Sequence, residues 1–554
     1  MKIIAESAYN HQGNLEYLKD LALASKNASA DYFTVQVMNV DEFCTKQYSK
    51  YKLYKETEFS KDQWIKLFEY CKTINLEVIP CTLEKASFDL AYDYGYRLVK
   101  IHGTDLTNFH LLQHIKDKGD CKIILETQCS TDFEINLAVE KFHEIIECLF
   151  HGFSNYPTEP NEHNLLALNY LKKRYNLDIG FADHSLDTQI IPCMAMSLGC
   201  KYLEKHITLH RNDRQFDYQV SLEPFEFSVL VNTIKHYRQS LGKPVKHPVK
   251  SEKSYRDILF KKYFGEGSFK RDNEGKTFIE HEISNFSKDN ITAALIARLK
   301  SKRLKLKVLK KFGDNELIIS LFNRLKSNCS NITYIELATS YLPEDQPLSL
   351  LFEEKKLPHF EGHPESVIDR LLEVAFKNKS SAVFRVTGDN PFTDPFLMDR
   401  MVEIFKKNDV DYVRVNNVPF GVSAELFKTS YLWKLYLQLE DPFTSEYLSW
   451  FVLNDKKCKK ACIEFDHPED FIKYVNLSID YPEDYDHAVG VLDKINKNTF
   501  ESIELKDIIN NISSTHKVDV TKYIKLPDGI KILYSDYMKL IDETEYVYKE
   551  KLTC

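Results

Sequence analysis

The chain has 554 residues, 43% of them hydrophobic and 28% charged, which is the composition of a folded protein with two or three domains. A formal net charge of −8 argues against general nucleic-acid binding, and no apolar run approaches the roughly 20 residues that cross a bilayer. The twelve cysteines form no disulfide or zinc pattern, and Glu6 comes too early for a signal peptide, so we expect free thiols in the cytoplasm.

Strand-like apolar runs alternate with amphipathic stretches through residues 1–245. The eight runs are KIIAES, DYFTVQV, EVIPCT, RLVKIH, KIILET, CLFHGFS, DIGFADH and KYLEKHI. Stretches between them, such as LEYLKDLALASK and DQWIKLFEYCKT, have the apolar spacing of a helix. Eight such units in this length predict an α/β domain of the (β/α)8 TIM-barrel type.

Polar residues end every one of the eight predicted strands. In a barrel the C-terminal strand ends converge on one face, and the active sites of such folds lie there. The pattern therefore predicts a functional face, built from Glu6, Gln36, Thr82, Lys100, Thr127, Ser154, His184 and His206.

Two groups within this face indicate ligands. His184 and His206 end neighbouring strands, and two imidazoles so placed can share one divalent metal ion. Asp183 or Glu204 beside them can orient a ligand imidazole. Lys100 offers one cation, and the hydroxyls of three other strand ends complete a predicted phosphate-binding group: Thr82, Thr127 and Ser154.

Five segments of this half carry a more specific pattern: IIAESAYNHQGN, KIHGTDLTN, NYPTEP, GFADHS and EKHITLHR. In this order they resemble the sialic acid synthase family, which includes N-acetylneuraminate, legionaminate and pseudaminate synthases. The resemblance implies an enzyme that condenses phosphoenolpyruvate with the aldehyde form of an N-acyl-hexosamine to give a nine-carbon 2-keto acid.

The resemblance also implies roles for single residues. His184 and His206 would bind Mn²⁺ or Mg²⁺, which polarises the sugar aldehyde, and Glu6 would act as acid and base near the attacking carbon, with Gln36 and Lys100 as further catalytic groups. Substrates would contact a wider set, namely Asn10, Thr82, Thr127, Ser154, Tyr156, Asp183, Glu204 and Asp217.

The chain departs from the family pattern around the phosphate. Thr34 stands where a phosphate-binding lysine is expected, Gly103 replaces a serine, and Glu126-Thr127-Gln128 replaces Ser-Thr-Gly. These changes fit a weakened phosphoenolpyruvate site, an unusual substrate or a barrel that has lost its activity.

Residues 246–290 are first basic, as in KHPVKSEK, and then glycine-rich and polar. This composition predicts a linker with a small amount of structure of its own. The resembling synthases carry a small antifreeze-like domain after the barrel, which would be shortened or absent here.

A second α/β series fills residues 291–500. The predicted strands NITAALIAR, ITYIELATS, SAVFRVTGDNP, DYVRVNN and YVNLSID alternate with helical stretches such as ESVIDRLLEVAFKN. This order predicts a doubly wound, Rossmann-like nucleotidyltransferase domain, whose ligands bind at the C-terminal strand ends.

The turn after the first of these strands is strongly basic. It contains Arg298, Lys300, Lys302, Arg303, Lys305 and Lys307. A solvated basic loop is one interpretation, and a clamp for a triphosphate is the other. Asp389 and Asp480 lie at other strand ends, where two carboxylates suit Mg²⁺ ions that bridge phosphates.

The segments ARLKSKRL, ATS, TGDNP, AELF and DYPED resemble, in order, the cytidylyltransferases of the spore-coat polysaccharide and acylneuraminate type. The resemblance implies that CTP contacts Arg298, Ser301, Arg303 (a catalytic residue), Lys307, Thr339, Asp369 and Arg370, and that Asp389 and Asp480 hold Mg²⁺. Lys305 and Leu306 replace the proline and glycine of the family's loop.

Together the two halves predict a bifunctional enzyme that builds a nonulosonic acid and activates it as a CMP-sugar. Two alternatives remain: a second domain that binds nucleotide without cytidylylation, and an inactive scaffold of surface-polysaccharide assembly. Both resembling families imply a homodimer, and the net charge and the lack of a long apolar run predict no nucleic-acid or membrane partner. Residues 501–554 carry no motif and are predicted to be a docking appendage.

Overall fold

The computed structural model describes residues 1–301, 303–469, 471–495, 499–512, 516–526 and 531–553, so Lys302 of the basic turn lies outside the described residues. The chain divides into two compact units, Met1–Pro244 and Val245–Cys554. None of the described helices combines the length and the apolar composition that a bilayer crossing requires.

The first unit is a closed barrel of eight parallel strands, which confirms the predicted fold. The barrel closes where the first strand pairs with the eighth, with Lys2 opposite Tyr202 and Glu6 opposite His206. The strands are β1 (Lys2–Glu6), β2 (Tyr32–Val37), β3 (Glu77–Thr82), β4 (Leu98–Ile101), β5 (Lys122–Glu126), β6 (Ile146–Gly152), β7 (Asp178–Ala182) and β8 (Tyr202–His206).

Helices surround the barrel and pack their apolar faces against it. They are α1 (Leu15–Asn27), α2 (Val40–Phe43), α3 (Tyr51–Thr57), α4 (Lys61–Thr73), α5 (Lys85–Tyr94), α6 (Phe109–Asp117), α7 (Asp132–Phe142), α8 (Leu166–Tyr175), α9 (Ile190–Ser197) and α10 (Pro224–Arg238). The sequence marks their starts: the Asn14 side chain accepts from the Tyr17 N–H, and Ser60 with Gln63 forms a capping box.

The barrel interior has an apolar floor below its polar face. Ile4, Ile79, Ile124 and Phe150 are among the buried residues that fill it. Gly180 of β7 makes room for this floor, since a Cβ there would lie 2.1 Å from Cε1 of Phe150. The polar strand ends therefore rest on closely packed side chains, which hold them in place.

The second unit is built on an eight-stranded sheet in the order β15-β14-β11-β16-β18-β17-β19-β22. All neighbours are parallel except β18, which runs antiparallel to β16 and β17. These strands are β11 (Ser287–Ile296), β14 (Tyr334–Ser340), β15 (His359–Gly362), β16 (Ser380–Thr387), β17 (Tyr412–Asn416), β18 (Glu425–Lys428), β19 (Lys460–Asp466) and β22 (Tyr548–Thr553).

Helices cover both faces of this sheet, as a doubly wound fold requires. Leu295 and Phe384 pack into one layer of core, and their strand neighbours Ala294 and Val383 pack into the other. The helices are α11 (Lys250–Leu259), α12 (Phe278–Ser284), α13 (Leu317–Asn328), α14 (Gln346–Glu354), α15 (Val367–Lys377), α16 (Pro395–Lys407), α17 (Thr429–Gln438), α18 (Leu448–Asn454), α19 (Pro482–Lys494), α20 (Leu505–Asn511) and α21 (Tyr534–Glu543).

The segments on either side of this domain are structured. Residues 246–290, predicted as a linker, form α11, α12 and a two-stranded sheet of β9 (Lys261–Tyr263) and β10 (Phe269–Arg271). The residues after 500 supply α20, α21 and the edge strand β22, so the sheet extends past the predicted boundary at residue 500. Two further short pairs complete the unit, β12 (Lys311–Phe312) with β13 (Asn315–Glu316) and β20 (Tyr523–Lys525) with β21 (Lys531–Leu533).

Candidate active sites

A buried ring of charges lies at the C-terminal strand ends of the barrel. The Lys100 ammonium is 2.6 Å from Glu6 Oε2, 2.8 Å from Glu204 Oε1 and 3.1 Å from Glu126 Oε1. None of the four side chains is more than 4% exposed. Three carboxyl groups therefore surround one ammonium in a space that water hardly reaches.

The pKa values of the ring residues are shifted in different directions. Burial alone would lower the pKa of Lys100, but the charges of Glu126, Glu204 and Glu6 outweigh it and raise the pKa well above its usual value. Burial and the charge of Glu6 raise the pKa of Glu204. Burial opposes ionisation of Glu6 as well, yet Lys100 and a hydrogen bond with Glu204 hold its pKa low. Of these two carboxyls Glu204 therefore holds a proton more tightly than Glu6, and Gln36 Nε2 donates to Glu6 at 3.3 Å.

The two predicted metal ligands meet beside this ring. The His184 and His206 ring centroids are 5.0 Å apart, and burial lowers the pKa of both imidazoles, that of His206 to about 3. His184 Nδ1–H donates to the Phe153 carbonyl at 2.5 Å, while His206 Nδ1 is buried without a hydrogen-bond partner. Neutral imidazoles, one oriented by a carbonyl and one with an unsatisfied nitrogen, fit a divalent metal ion.

Two other predicted residues line the histidine pair. The Tyr156 ring centroid lies 4.6 Å from that of His184, and Asp217 Oδ2 lies 3.8 Å from His206 Nδ1. Burial, followed by the charge of Glu6, raises the pKa of Asp217 to about 6. Both residues are placed where a substrate next to the histidines would touch them.

The carboxylates expected to orient a histidine have other partners. Asp183 lies 3.0 Å from the Lys205 ammonium and accepts from the Ser185 N–H at 2.9 Å. Glu204 pairs with Lys100. The Phe153 carbonyl orients the His184 imidazole instead.

The predicted hydroxyl group for phosphate does not assemble around Lys100. Cys81 is the register partner of Lys100, so Thr82, the next residue, points to the opposite side of its strand. The Thr127 hydroxyl donates to the Phe150 carbonyl at 2.8 Å, and Ser154 is exposed. Sequence reasoning placed Thr82 and Thr127 one residue away from the inward-facing positions 81 and 126, and Ser154 lies beyond the end of β6.

Glu126 is the ring member that the sequence interpretation missed as a site residue. On β5 it lies two residues after Ile124, which is the register partner of Lys100. Its side chain is therefore on the same, inward-facing side of the strand. Its carboxylate also accepts from the Gly103 N–H at 3.3 Å. A Cβ on Gly103 would lie 2.8 Å from the Gln128 carbonyl oxygen, so a serine does not fit this turn. Strand alternation would have identified Glu126.

Two further polar residues lie near the ring. Thr34 pairs in register with Glu6, and its buried hydroxyl oxygen has no hydrogen-bond partner. Asn10 Nδ2 donates to the Ile207 carbonyl at 2.9 Å. The buried Oδ1 of the same side chain has no hydrogen-bond partner.

In the second unit one lysine joins the two predicted Mg²⁺ ligands. Lys307 Nζ lies 2.5 Å from Asp389 Oδ2 and 2.9 Å from Asp480 Oδ1, and Arg303 Nη2 lies 3.2 Å from the same Asp480 oxygen. Burial alone would lower the pKa of Lys307, but the two aspartates outweigh it and raise the pKa. Asp389, just after β16, and Asp480, in the loop before α19, thus converge on one cation, although the predicted strand YVNLSID that was to carry Asp480 is not formed in this fully described stretch.

The basic turn is partly held by acidic residues. Arg298 lies 2.9 Å from Asp345 and 3.1 Å from Glu365, so its charge is already matched. Ser301 Oγ accepts from the Leu304 N–H at 3.4 Å. Leu306 has φ 53°, in the left-handed region that favours glycine, at the position where the related loops carry glycine.

The remaining predicted nucleotide contacts lie inside the sheet domain. Arg370 is 2% exposed and donates to the Ala338 carbonyl at 2.9 Å, and Thr339 is fully buried. Asp369 lies in the first turn of α15, where its N–H donates to Ser366 Oγ at 3.3 Å. The structure gives Arg370 and Asp369 structural partners and does not bring them to the Lys307 cluster.

A barrel with a polar, histidine-bearing face and a nucleotide-type sheet with paired carboxylates define an enzyme with two separate catalytic units of the transferase class. The chain belongs to the NeuB family through residues 18–246, and residues 293–449 match the family described as cytidylyltransferase. Both resemblances found in the sequence are thereby confirmed.

Similar proteins cover mainly one half of the chain. The uncharacterized protein MJ1065 of Methanocaldococcus jannaschii is 33% identical over 262 residues, 46% of this chain and 76% of that protein. N,N'-diacetyllegionaminic acid synthase of Legionella pneumophila is 28% identical, over 46% of this chain and 78% of that protein. The crystal structure of an N-acetylneuraminic acid synthetase from Leptospira borgpetersenii is 30% identical, with a TM-score of 0.44, over 46% of this chain and 91% of that one.

Proposed function

We propose that the chain catalyses two consecutive steps of nonulosonic acid biosynthesis in the cytoplasm. The barrel condenses phosphoenolpyruvate with an N-acyl-hexosamine, and the second domain transfers CMP from CTP to the resulting 2-keto acid. The family membership of the two halves supports this pairing, since the product of one reaction is the substrate class of the other. The observation that carries the second step is the convergence of Asp389 and Asp480 on Lys307.

In the barrel, the ring residues supply acid and base chemistry. The pKa of Glu6 is held low and that of Glu204 is raised, so Glu6 is suited to accept a proton and Glu204 to donate one. Tyr156 and Asp217 would contact the sugar. His184 and His206 would hold the divalent ion, which supplies Lewis-acid polarisation of a carbonyl when bound.

In the second domain, the site is built for phosphate charge. Arg303 and Lys307 offer cations to a triphosphate, and Asp389 and Asp480 would hold Mg²⁺. The anomeric hydroxyl of the sugar acid would attack the α-phosphate of CTP in line, with pyrophosphate as the leaving group. Positioning and charge neutralisation are the main contributions of a protein to such a transfer.

Two release assays on the full chain test the proposal. Phosphate release from phosphoenolpyruvate with Mn²⁺ and a panel of N-acyl-hexosamines reports the barrel, and pyrophosphate release from CTP with 2-keto sugar acids reports the second domain. We expect His206→Ala to abolish only phosphate release and Asp480→Asn to abolish only pyrophosphate release, so that each variant is the other's control. CTP binding without pyrophosphate release would instead favour a second domain that only binds nucleotide.

The charge of the ring favours a second candidate function for the first unit, a barrel that no longer uses phosphoenolpyruvate. In the ring, three carboxyls outnumber the one ammonium. A negative charge of phosphoenolpyruvate 4 Å from a ring carboxylate would be repelled by about 4 kcal/mol at an effective dielectric constant of about 20. The Gly103 turn also excludes the serine that related chains place there. Pyrophosphate release without phosphate release for any hexosamine would select this candidate.

Both families lead us to propose a homodimer. Sedimentation equilibrium of the purified chain tests this, and a mass near the 64.8 kDa of one chain would contradict it.

A further inference from the structure

The C-terminal segment of the chain lies against the loop that carries Asp480. Lys517 pairs with Val475 of this loop in an antiparallel β-bridge. At the next residue of the loop, the Asn476 N–H donates to the carbonyl of His516 at 3.1 Å. These backbone contacts place the His516 side chain beside the N-terminus of helix α19.

Asp484, in the first turn of α19, connects His516 to the Asp480 turn. One of its carboxylate oxygens, Oδ1, accepts from His516 Nε2 at 2.8 Å and from Asn476 Nδ2 at 2.9 Å. The other oxygen, Oδ2, accepts from the backbone N–H groups of Asp480 at 3.0 Å and of Tyr481 at 2.8 Å. Asp484 is only 7% exposed, so these four donors take the place of water around its charge.

The position of the Asp480 backbone decides what its carboxylate can bind. Asp480 Oδ1 lies 2.9 Å from Lys307 Nζ and 3.2 Å from Arg303 Nη2, inside the cluster that we assign to the transfer reaction. Mg²⁺ demands nearly ideal octahedral geometry, so a small displacement of a ligating carboxylate weakens its binding. A side chain that fixes the Asp480 turn therefore acts on this site without touching the ion or the substrates.

His516 makes a second contact that is separate from its hydrogen bond. Its ring stacks on that of His487 in α19, with the centroids 4.3 Å apart and the planes at 25°. Another aromatic side chain at position 516 would keep this stacking, whereas donation to Asp484 requires an N–H group. Substitutions at position 516 can therefore separate the packing of the ring from its hydrogen bond.

We propose that His516 is a positioning residue of the second site, which holds the Asp480 carboxylate in place for Mg²⁺ through Asp484. The inference rests on the proposed cytidylyl transfer and assigns a part in it to the C-terminal segment, which was predicted to be a docking appendage. His516 lies beyond residues 293–449, which match the cytidylyltransferase family. Without its N–H, the Asp484 carboxylate loses one of four donors and is freer to turn away from the two backbone amides.

The test compares wild type with three variants of the full-length chain. His516→Ala removes the ring, His516→Phe keeps a ring that can stack on His487 but lacks the N–H, and His516→Gln keeps an N–H donor. His236→Ala, which removes an exposed histidine of the barrel helix α10, is the matched control. Pyrophosphate release from CTP with 2-keto sugar acids is measured against Mg²⁺ concentration, and thermal unfolding checks that each variant is folded.

A second measurement depends neither on Mg²⁺ nor on activity. Hydrogen–deuterium exchange, followed by mass spectrometry without Mg²⁺ and CTP, reports the peptides that cover residues 478–484. In these peptides the amides of Asp480 and Tyr481 are protected by their hydrogen bonds to Asp484. Peptides from β16 are the internal reference for a general opening of the second unit.

We expect His516→Ala and His516→Phe to raise the Mg²⁺ concentration at half-maximal pyrophosphate release by about 10-fold, because the loss of a group that orients a metal ligand costs about 10–100-fold in affinity or activity. Exchange in residues 478–484 should become about 10-fold faster in the same two variants, while the β16 peptides change by less than about threefold. His516→Gln and His236→Ala should stay within about threefold of wild type in both measurements.

Three results would overturn the inference and leave the proposed cytidylyl transfer intact. Unchanged Mg²⁺ dependence and exchange in a folded His516→Phe variant would show that the hydrogen bond positions nothing. Equal losses in His516→Gln and His516→Phe would show that the N–H donor is not the cause. Faster exchange in the β16 peptides as well would show a general structural role. Failure of wild type to release pyrophosphate with any acid would overturn the proposed function, and the exchange measurement alone would then decide whether His516 fixes the Asp480 turn.

Discussion

Replacing Lys100 by methionine tests the central feature of the barrel. The ammonium lies within 3.1 Å of all three carboxyls of the ring, and its side chain is 1% exposed. Methionine keeps the length of the side chain and removes its charge. Removing one partner of a buried ion pair costs about 3–5 kcal/mol, because the remaining charges are left uncompensated. We expect the free energy of unfolding of the barrel to fall by that amount at pH 7.5.

The measurement must report the barrel alone, since a chain of two units does not unfold as one two-state system. Trp64 lies in the barrel and is 2% exposed, while Trp433 and Trp450 lie in the second unit. With both of these replaced by phenylalanine, the fluorescence of Trp64 during urea unfolding follows the barrel.

Glu126→Gln is the matched control, because it keeps the side-chain shape and lowers the excess of carboxyls over ammonium. It should change the stability by less than about 1 kcal/mol, and in the double variant with Lys100→Met it should recover part of the loss, since contacting charges couple by about 0.5–3 kcal/mol. A loss below about 1 kcal/mol for Lys100→Met alone would refute the ring as a buried, charged cluster.

Four further substitutions test side-chain packing, ion pairing and proton binding. Gly180→Ala should destabilise the barrel by about 1–3 kcal/mol in urea unfolding because its Cβ meets Phe150, whereas Gly490→Ala, in an open helical position, should stabilise the second unit by about 0.5–1 kcal/mol. Arg324→Met should cost the second unit about 3–5 kcal/mol, because this fully buried guanidinium pairs with a carboxylate and donates to backbone carbonyls; equal stability would contradict its pairing. Burial raises the pKa of Glu84 from 4.5 to about 7, so the folded wild type loses stability as the pH rises through that range. Glu84→Gln lacks this loss, and its advantage should grow from near zero below pH 4.5 to about 3 kcal/mol above pH 7, at about 1.36 kcal/mol per pKa unit; a pH-independent difference would exclude the raised pKa.

The sequence was sufficient to predict the barrel because each strand and helix shows its own periodicity, and every strand end was polar. The sequence was less reliable on which polar residue faces inward. A shift of one position moves a side chain to the other side of a strand, so Thr82 and Thr127 were chosen where Cys81 and Glu126 face the ring.

In the second half, the sequence located Lys307, Asp389 and Asp480, and the structure brings them together. It did not show that acids from distant loops, Asp345 among them, already hold Arg298. Such pairs depend on tertiary contacts between segments that are far apart in sequence, which local patterns do not encode. The hydrogen bond between His516 and Asp484 was missed for the same reason, since the two residues lie 32 positions apart.

The positions of β8 and β22 set the order in which the two units can fold during synthesis. The barrel has all its strands once His206 has left the ribosome, whereas the second sheet waits for Tyr548–Thr553 to pair with β19. At about 5–20 residues per second, the interval is roughly 17–70 s. From the synthesis of β19 to that of β22, about 4–17 s at the same rate, one edge of β19 stays open to pairing with other chains, so the growing second unit is the part of the molecule most in need of a chaperone.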